Sequence, residues 1–372
     1  MSGVQAAKAP TIERVGTLEL FLDLVFVFTI TQLSALVAHP HGPEGYARAA
    51  LVLAVTWWIY SGYAWLTSNV RTDAVKHRLL IIGGMAGFLV MALAIPEVFG
   101  HDGVAFGLGY LLVTLVHAGL FRRAPGSSSR AILGIAPFNL ASVLLVLTAG
   151  FALSPWKWAL WMAAVGVVAL TSAFRRESGF TLSPAHFVER HGLVIIVALG
   201  ESIVAIGVGL GDRALSAPVL LAALLTLALS AALWWSYFDH DDHLAESALA
   251  RAPAERRPRM ALNGFGYGHY LMIAGIVLLA SGVKLGVADP LRPEAAAAWN
   301  LGAGLALYLL GDVLYRRVVQ IGPGRLRLVV AALMLLGVPL GLRWGTEVQL
   351  AFGVVLLVAM LMLEARRSPA QS

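Results

Sequence analysis

Among 372 residues there is no cysteine, so disulfides, thiolate metal centres and thiol nucleophiles are excluded. Charge is scarce as well: Asp, Glu, Lys and Arg make up 13% of the chain, about half of the roughly 25% usual in soluble domains. Long polar stretches are also lacking, which leaves no room for an appended soluble domain. No glycine loop follows a strand pattern, since Gly207-Val208-Gly209-Leu210-Gly211 closes an apolar helix, and no Ser-His-Asp set can be assembled. No cofactor-binding pattern is present, and the chain does not read as an enzyme. What remains is apolar: 59% hydrophobic residues with a mean hydropathy of +0.78. Such a chain is an all-α polytopic membrane protein whose first partner is the lipid bilayer.

Apolar runs of spanning length predict twelve helices. The first six cover about 17–38, 47–66, 79–96, 104–121, 131–152 and 156–174. The second six cover about 188–210, 217–238, 261–285, 297–315, 326–342 and 347–364. The chain then divides into a tail 1–16, a six-helix unit 17–174, a second unit 188–364 that contains a charged loop 239–260, and a tail 365–372. Acidic Glu13, Glu19 and Asp23 interrupt the amino-terminal stretch, which is expected to be a retained first helix and not a cleaved signal. Of the 27 Lys and Arg residues, the side of the membrane that carries both tails receives 21 and the other receives 6. Basic residues collect on the cytoplasmic side, so both termini are expected there. The net charge of +6 is thereby a topology signal, and nucleic acid is not an expected partner.

Short motifs recur in order. Glu13-Arg14-Val15-Gly16 returns as Glu189-Arg190-His191-Gly192, Trp57-Trp58-Ile59-Tyr60 as Trp234-Trp235-Ser236-Tyr237, and Leu120-Phe121-Arg122-Arg123 as Leu314-Tyr315-Arg316-Arg317. With an even number of spans per half, the halves enter the membrane in the same sense, a parallel repeat of the kind that transporters use.

Ionisable residues inside the spans are the candidates for chemistry. Glu201 lies roughly 18 Å into a helix begun at Glu189, near the middle of a hydrocarbon core about 30 Å thick. Ser202 follows it, and Gly200, Gly207 and Gly209 permit the alternative of a packed, hydrogen-bonded helix contact. In LELFLDLVFVFTITQL, Leu18 to Leu33, Glu19 and Asp23 share a face, with Glu19 near the interface and Gln32 further along. His269, behind Gly264, Gly266 and Gly268, is a candidate partner for Glu201, and His191 and Asp239 are candidates near the cytoplasmic ends. Asp312 is expected to pair with Arg316 one turn on, Lys284 to reach the interface, and the tryptophan pairs to form an interfacial belt. Asp239-His240-Asp241-Asp242-His243 has metal-ligand chemistry but no second cluster, so no metal is expected.

Two long motifs, LELFLDLVFVFTITQL and HFVERHGLVIIVALGESIVAIG (His186 to Gly207), resemble the bacterial low temperature requirement A (LtrA) family. Trp234 to Asp239 and Gly264 to Tyr270 resemble that family's later helices; Leu22 departs from it, where a second aromatic is expected. The resemblance implies a multi-pass bacterial membrane protein and brings neither a substrate nor catalytic residues. Phe21-Leu22-Asp23 is also similar to the Phe-Ser-Asp first helix of certain bacterial and lysosomal potassium channels with six-helix repeats. The expected activity is a secondary transporter of a small solute, coupled to protons through Asp23 and Glu201 on facing helices. The alternatives are an ion channel lined by helices 1 and 7 and a membrane-embedded enzyme or sensor linked to cold adaptation.

Overall fold

The computed structural model describes residues 15–39, 42–68, 74–122, 128–174, 182–239 and 241–367, and all regular structure among them is helical. The first half contains α1 (Thr17–Ala38), α2 (Pro43–Thr67), α3 (Val75–Ala94), α4 (Gly103–Phe121), α5 (Ser128–Phe151) and α6 (Trp156–Phe174). The second contains α7 (Pro184–Leu210), α8 (Ala217–Phe238), α9 (Asp241–Arg251), α10 (Arg257–Ala261), α11 (His269–Gly286), α12 (Ala295–Val318), α13 (Arg325–Leu336), α14 (Val338–Trp344) and α15 (Thr346–Arg367). Among the described residues, eleven helical stretches are long and apolar enough to cross a membrane, and Trp156–Thr171 is a shorter apolar helix. Glu13, Arg14, Arg123 and His240 of the sequence motifs lie outside the described residues.

Two expected elements differ. The stretch 239–260 is not a loop: α9 fills its first half and α10 begins the next span. The expected helix over 326–342 breaks between Leu336 and Val338, because Gly337 and the ring of Pro339 interrupt the hydrogen-bond ladder.

Between α10 and α11 the chain widens into a π-helical segment, Leu262–Gly268, so the three form one long span with a local change of pitch. There Gly266 O, which also accepts from His269 N–H, accepts a hydrogen bond from Trp57 Nε1 at 2.7 Å. Trp57 is therefore in the core and not in an interfacial belt, whereas Trp234 and Trp235 are exposed. Beyond the π segment, α11 and α12 lie backbone against backbone. A Cβ on Gly275 would stand 2.6 Å from Gly304 O and Tyr308 N, and one on Gly311 would stand 2.6 Å from Gly268 O. In lipid, where burial of apolar surface drives little helix association, such small-residue contacts carry the packing.

These contacts set the frame for α1, which packs against α2, α3, α7 and α11. The neighbours run α1–α3, α3–α4, α4–α5 and α5–α6 in the first half. They run α7–α11, α11–α12, α12–α13 and α14–α15 in the second.

Candidate functional site

The seam between α1 and α7 carries most of the buried polar chemistry of the first helix. Glu19 Oε2 lies 3.1 Å from His186 Nε2, Asp23 Oδ2 accepts from Arg190 Nη1 at 2.8 Å, and Glu201 Oε1 accepts from Ser34 Oγ at 3.0 Å. Each pair is 167 residues apart in sequence, so both helices climb together and run parallel in one register. Eleven residues separate the Asp23–Arg190 rung from the Ser34–Glu201 rung, about 16 Å at helical rise.

The lower rung is an ion pair withdrawn from solvent, both side chains being 0% exposed. Asp23 Oδ1 also accepts from Tyr60 at 2.6 Å, and Arg190 Nη1 also donates to Glu19 O at 2.9 Å. Glu19 is buried, not interfacial: its Oε2 accepts from Gly16 N at 2.7 Å and meets His186, whose Nδ1 lies 3.0 Å from Ser68 Oγ. Protonating Asp23 would leave the buried Arg190 cation without its counter-charge, which costs several kcal/mol. The pair is fixed.

The upper rung is built differently. Glu201 is 2% exposed, and its carboxylate is held by two hydroxyls, Thr31 Oγ1 at 2.5 Å and Ser34 Oγ at 3.0 Å. Each hydroxyl also has a backbone carbonyl of its own helix within reach, Val27 O at 3.3 Å for Thr31 and Thr31 O at 2.9 Å for Ser34. A hydroxyl has one proton and two lone pairs. With Glu201 ionised the protons point to the carboxylate; with Glu201 protonated they turn to the carbonyls and an oxygen accepts the acid proton. Both charge states are therefore satisfied without moving a helix. Lys284 Nζ donates to Ser34 Oγ at 3.4 Å, so the half-buried lysine expected at the interface reaches the seam and links Glu201 toward the α11 end.

Other expected site residues fall elsewhere. Asp23 and Glu201 do not meet, since each has its own partners on its own rung. His269 does not reach Glu201: its Nδ1 donates to Gly264 O at 3.2 Å, so its Nε2 accepts from Tyr237 Oη at 2.8 Å. His191 lies beside it, with ring centroids 5.3 Å apart, and donates from Nδ1 to Phe187 O at 2.9 Å. Ser202 is buried beside Glu201, with no hydrogen bond from its hydroxyl among the described residues. Gln32 lines a separate cavity of about 270 Å³ with His39, Arg48 and Glu97. Asp239 is exposed, and the buried acid of that region is Asp241.

Asp241 leads to a cluster that spacing alone does not predict. Asp312 does not pair with Arg316 but accepts from Arg327 Nη1 at 2.5 Å, while Arg316 turns to Asp241. Arg327 also binds Glu364 and Ser236 O, fastening α13 to α8, α12 and α15. Among the described residues no group of three or more His, Cys, Asp or Glu is placed to hold a metal ion.

The family profile described as bacterial low temperature requirement A protein (LtrA) matches residues 14–364, which include both helices of the seam. The chain belongs to the LtrA family. A protein of Rhizobium meliloti (strain 1021) that carries the description "Uncharacterized protein" is 30% identical over 320 residues, 81% of this chain and 76% of the relative. This LtrA-family chain thus brings the ERHG and GES motifs of α7 onto α1 at two levels, one closed by an arginine and one by hydroxyls.

Proposed function

We propose that this LtrA-family protein is a proton-linked secondary transporter of a small solute in the bacterial inner membrane, with both termini cytoplasmic and two related six-helix halves. The alternating Lys and Arg distribution supports the orientation. The similar order of helix neighbours in the two halves supports their relation, together with the recurring Trp-Trp-x-Tyr motif. No enzymatic step enters the reading.

One observation carries it: Glu201 is a buried carboxyl cradled by two hydroxyls that have alternative acceptors. Such a carboxyl can take up and release a proton at small structural cost, as a coupling site requires, whereas Asp23 is held by Arg190. Asp23–Arg190 is then the pivot that keeps α1 and α7 in register while Glu201 exchanges its proton.

The test uses purified protein in liposomes with a pH-sensitive dye and a potassium diffusion potential set by valinomycin. A panel of amino acids, organic acids and sugars is screened for stimulated proton entry. Wild type responds to at least one compound, and Glu201→Gln loses the response. Equal stimulated entry in Glu201→Gln contradicts the mechanism. Turnover far above about a thousand per second would assign a channel instead, since conformational cycles run in microseconds to milliseconds or slower.

A further inference from the structure

Arg190 is fully buried, yet only one of its three nitrogens is used. Nη1 donates to Asp23 Oδ2 at 2.8 Å and to Glu19 O at 2.9 Å, while Nε and Nη2 make no hydrogen bond among the described residues. Nε–H and one Nη2–H project in parallel from the same edge of the planar group, the fork that receives a carboxylate side-on.

The chain shows what this edge does when it is used. Arg327 Nη1 also takes a buried aspartate and a backbone carbonyl, Asp312 at 2.5 Å and Ser236 O at 3.0 Å. Its Nε and Nη2 then hold the Glu364 carboxylate side-on, at 3.1 Å to Oε1 and 2.9 Å to Oε2. Arg327 is thereby paired with three carboxylates, those of Asp241, Asp312 and Glu364, whereas the Arg190 guanidinium is paired with one, that of Asp23. Around it stand aromatic rings: Tyr60 lies 5.9 Å from the guanidinium carbon and stacks on Phe26 and Trp57.

We propose that the Nε/Nη2 edge of Arg190 binds the carboxylate of a small organic acid with an apolar or aromatic remainder, and that this is the class of solute carried. The assignment of a carried solute rests on reading the α1–α7 seam as a transport path. Because the edge is closed from solvent here, binding is linked to a change in packing around α7, which is the differential affinity a carrier needs.

The test is an equilibrium one on the full chain in detergent. The thermal midpoint is titrated with sodium benzoate and sodium acetate, with sodium chloride holding ionic strength constant. Wild type shows a saturable rise with at least one of the two acids. Arg190→Lys keeps a cation for Asp23 but has no fork, and its apparent affinity falls at least tenfold. No saturable rise in wild type, or an equal one in Arg190→Lys, overturns the proposal. Should Arg190→Lys not fold, a density map of wild type in saturating benzoate decides. A carboxylate on Nε and Nη2 supports the site, and water alone overturns it. Benzoate binding without proton flux would sink the carrier reading and leave the site; proton flux without carboxylate at this edge would sink the site alone.

Discussion

Ser34 and Glu201, 167 residues apart in sequence, meet at 3.0 Å across α1 and α7, and the same separation joins Asp23 to Arg190 and Glu19 to His186. A single register thus delivers two acids to one helix interface, and the partners waiting for them decide their roles. A guanidinium meets one, and two hydroxyls with alternative backbone acceptors meet the other.

Replacing Glu201 by Gln is expected to leave the fold intact. The amide oxygen still accepts from Thr31 or Ser34, so the stability change stays within about 1 kcal/mol. Thermal unfolding in detergent should show a midpoint close to wild type, while solute-stimulated proton entry is lost. A large drop in midpoint would make Glu201 a structural strut.

The Asp23–Arg190 pair is expected to behave in the opposite way. Asp23→Asn or Arg190→Met leaves one charge buried and unmatched, which costs about 3–5 kcal/mol. The double variant removes both charges and should lose less than the sum of the two. Denaturant unfolding of the four proteins measures the coupling; simple additivity would mean that the pair is not the pivot.

Close approach of α11 and α12 gives a prediction about packing alone. At Gly275 a Cβ would stand 2.6 Å from the α12 backbone, so Gly275→Ala should cost about 1–3 kcal/mol through forced separation. At Gly200 nothing lies within 4 Å, so Gly200→Ala should be neutral or gain up to about 1 kcal/mol from helix propensity. Midpoints that fall equally for both would contradict the crossing.

Arg327 is expected to be the costlier of the two arginines in the second cluster. It serves Asp312, Glu364 and Ser236 O and is 4% exposed, whereas Arg316 is 15% exposed and its partner Asp241 also lies 3.3 Å from Arg327. Arg327→Met should therefore destabilise by about 3–5 kcal/mol, with Arg316→Met well below that. The ratio of the two, read from unfolding, checks the assignment.

Much of the fold was legible because lipid imposes a simple grammar of spanning length and satisfied backbone. The span boundaries agree with the helices to a few residues, apart from α9 and the break at Gly337. The facing of α1 and α7 was legible too, from two acids in otherwise apolar runs. Their partners were less so. Asp312 has Arg316 four residues on, but the side chain that reaches it, Arg327, lies on the next helix, and local spacing cannot choose between them. His269 looked available for Glu201 until Tyr237, brought in by α8, took its second nitrogen. Arg190 stood in view inside the ERHG motif. Only the register across the seam shows that it closes on Asp23, and a basic residue just inside an expected span was the signal for it.

The claim that Glu201 exchanges a proton while Asp23 does not is tested most directly by pH-difference infrared spectroscopy of the reconstituted protein, following the carbonyl stretch of protonated carboxylic acid. On acidification wild type should develop a band that Asp23→Asn retains and Glu201→Gln lacks. A band that survives in Glu201→Gln and disappears in Asp23→Asn would contradict it.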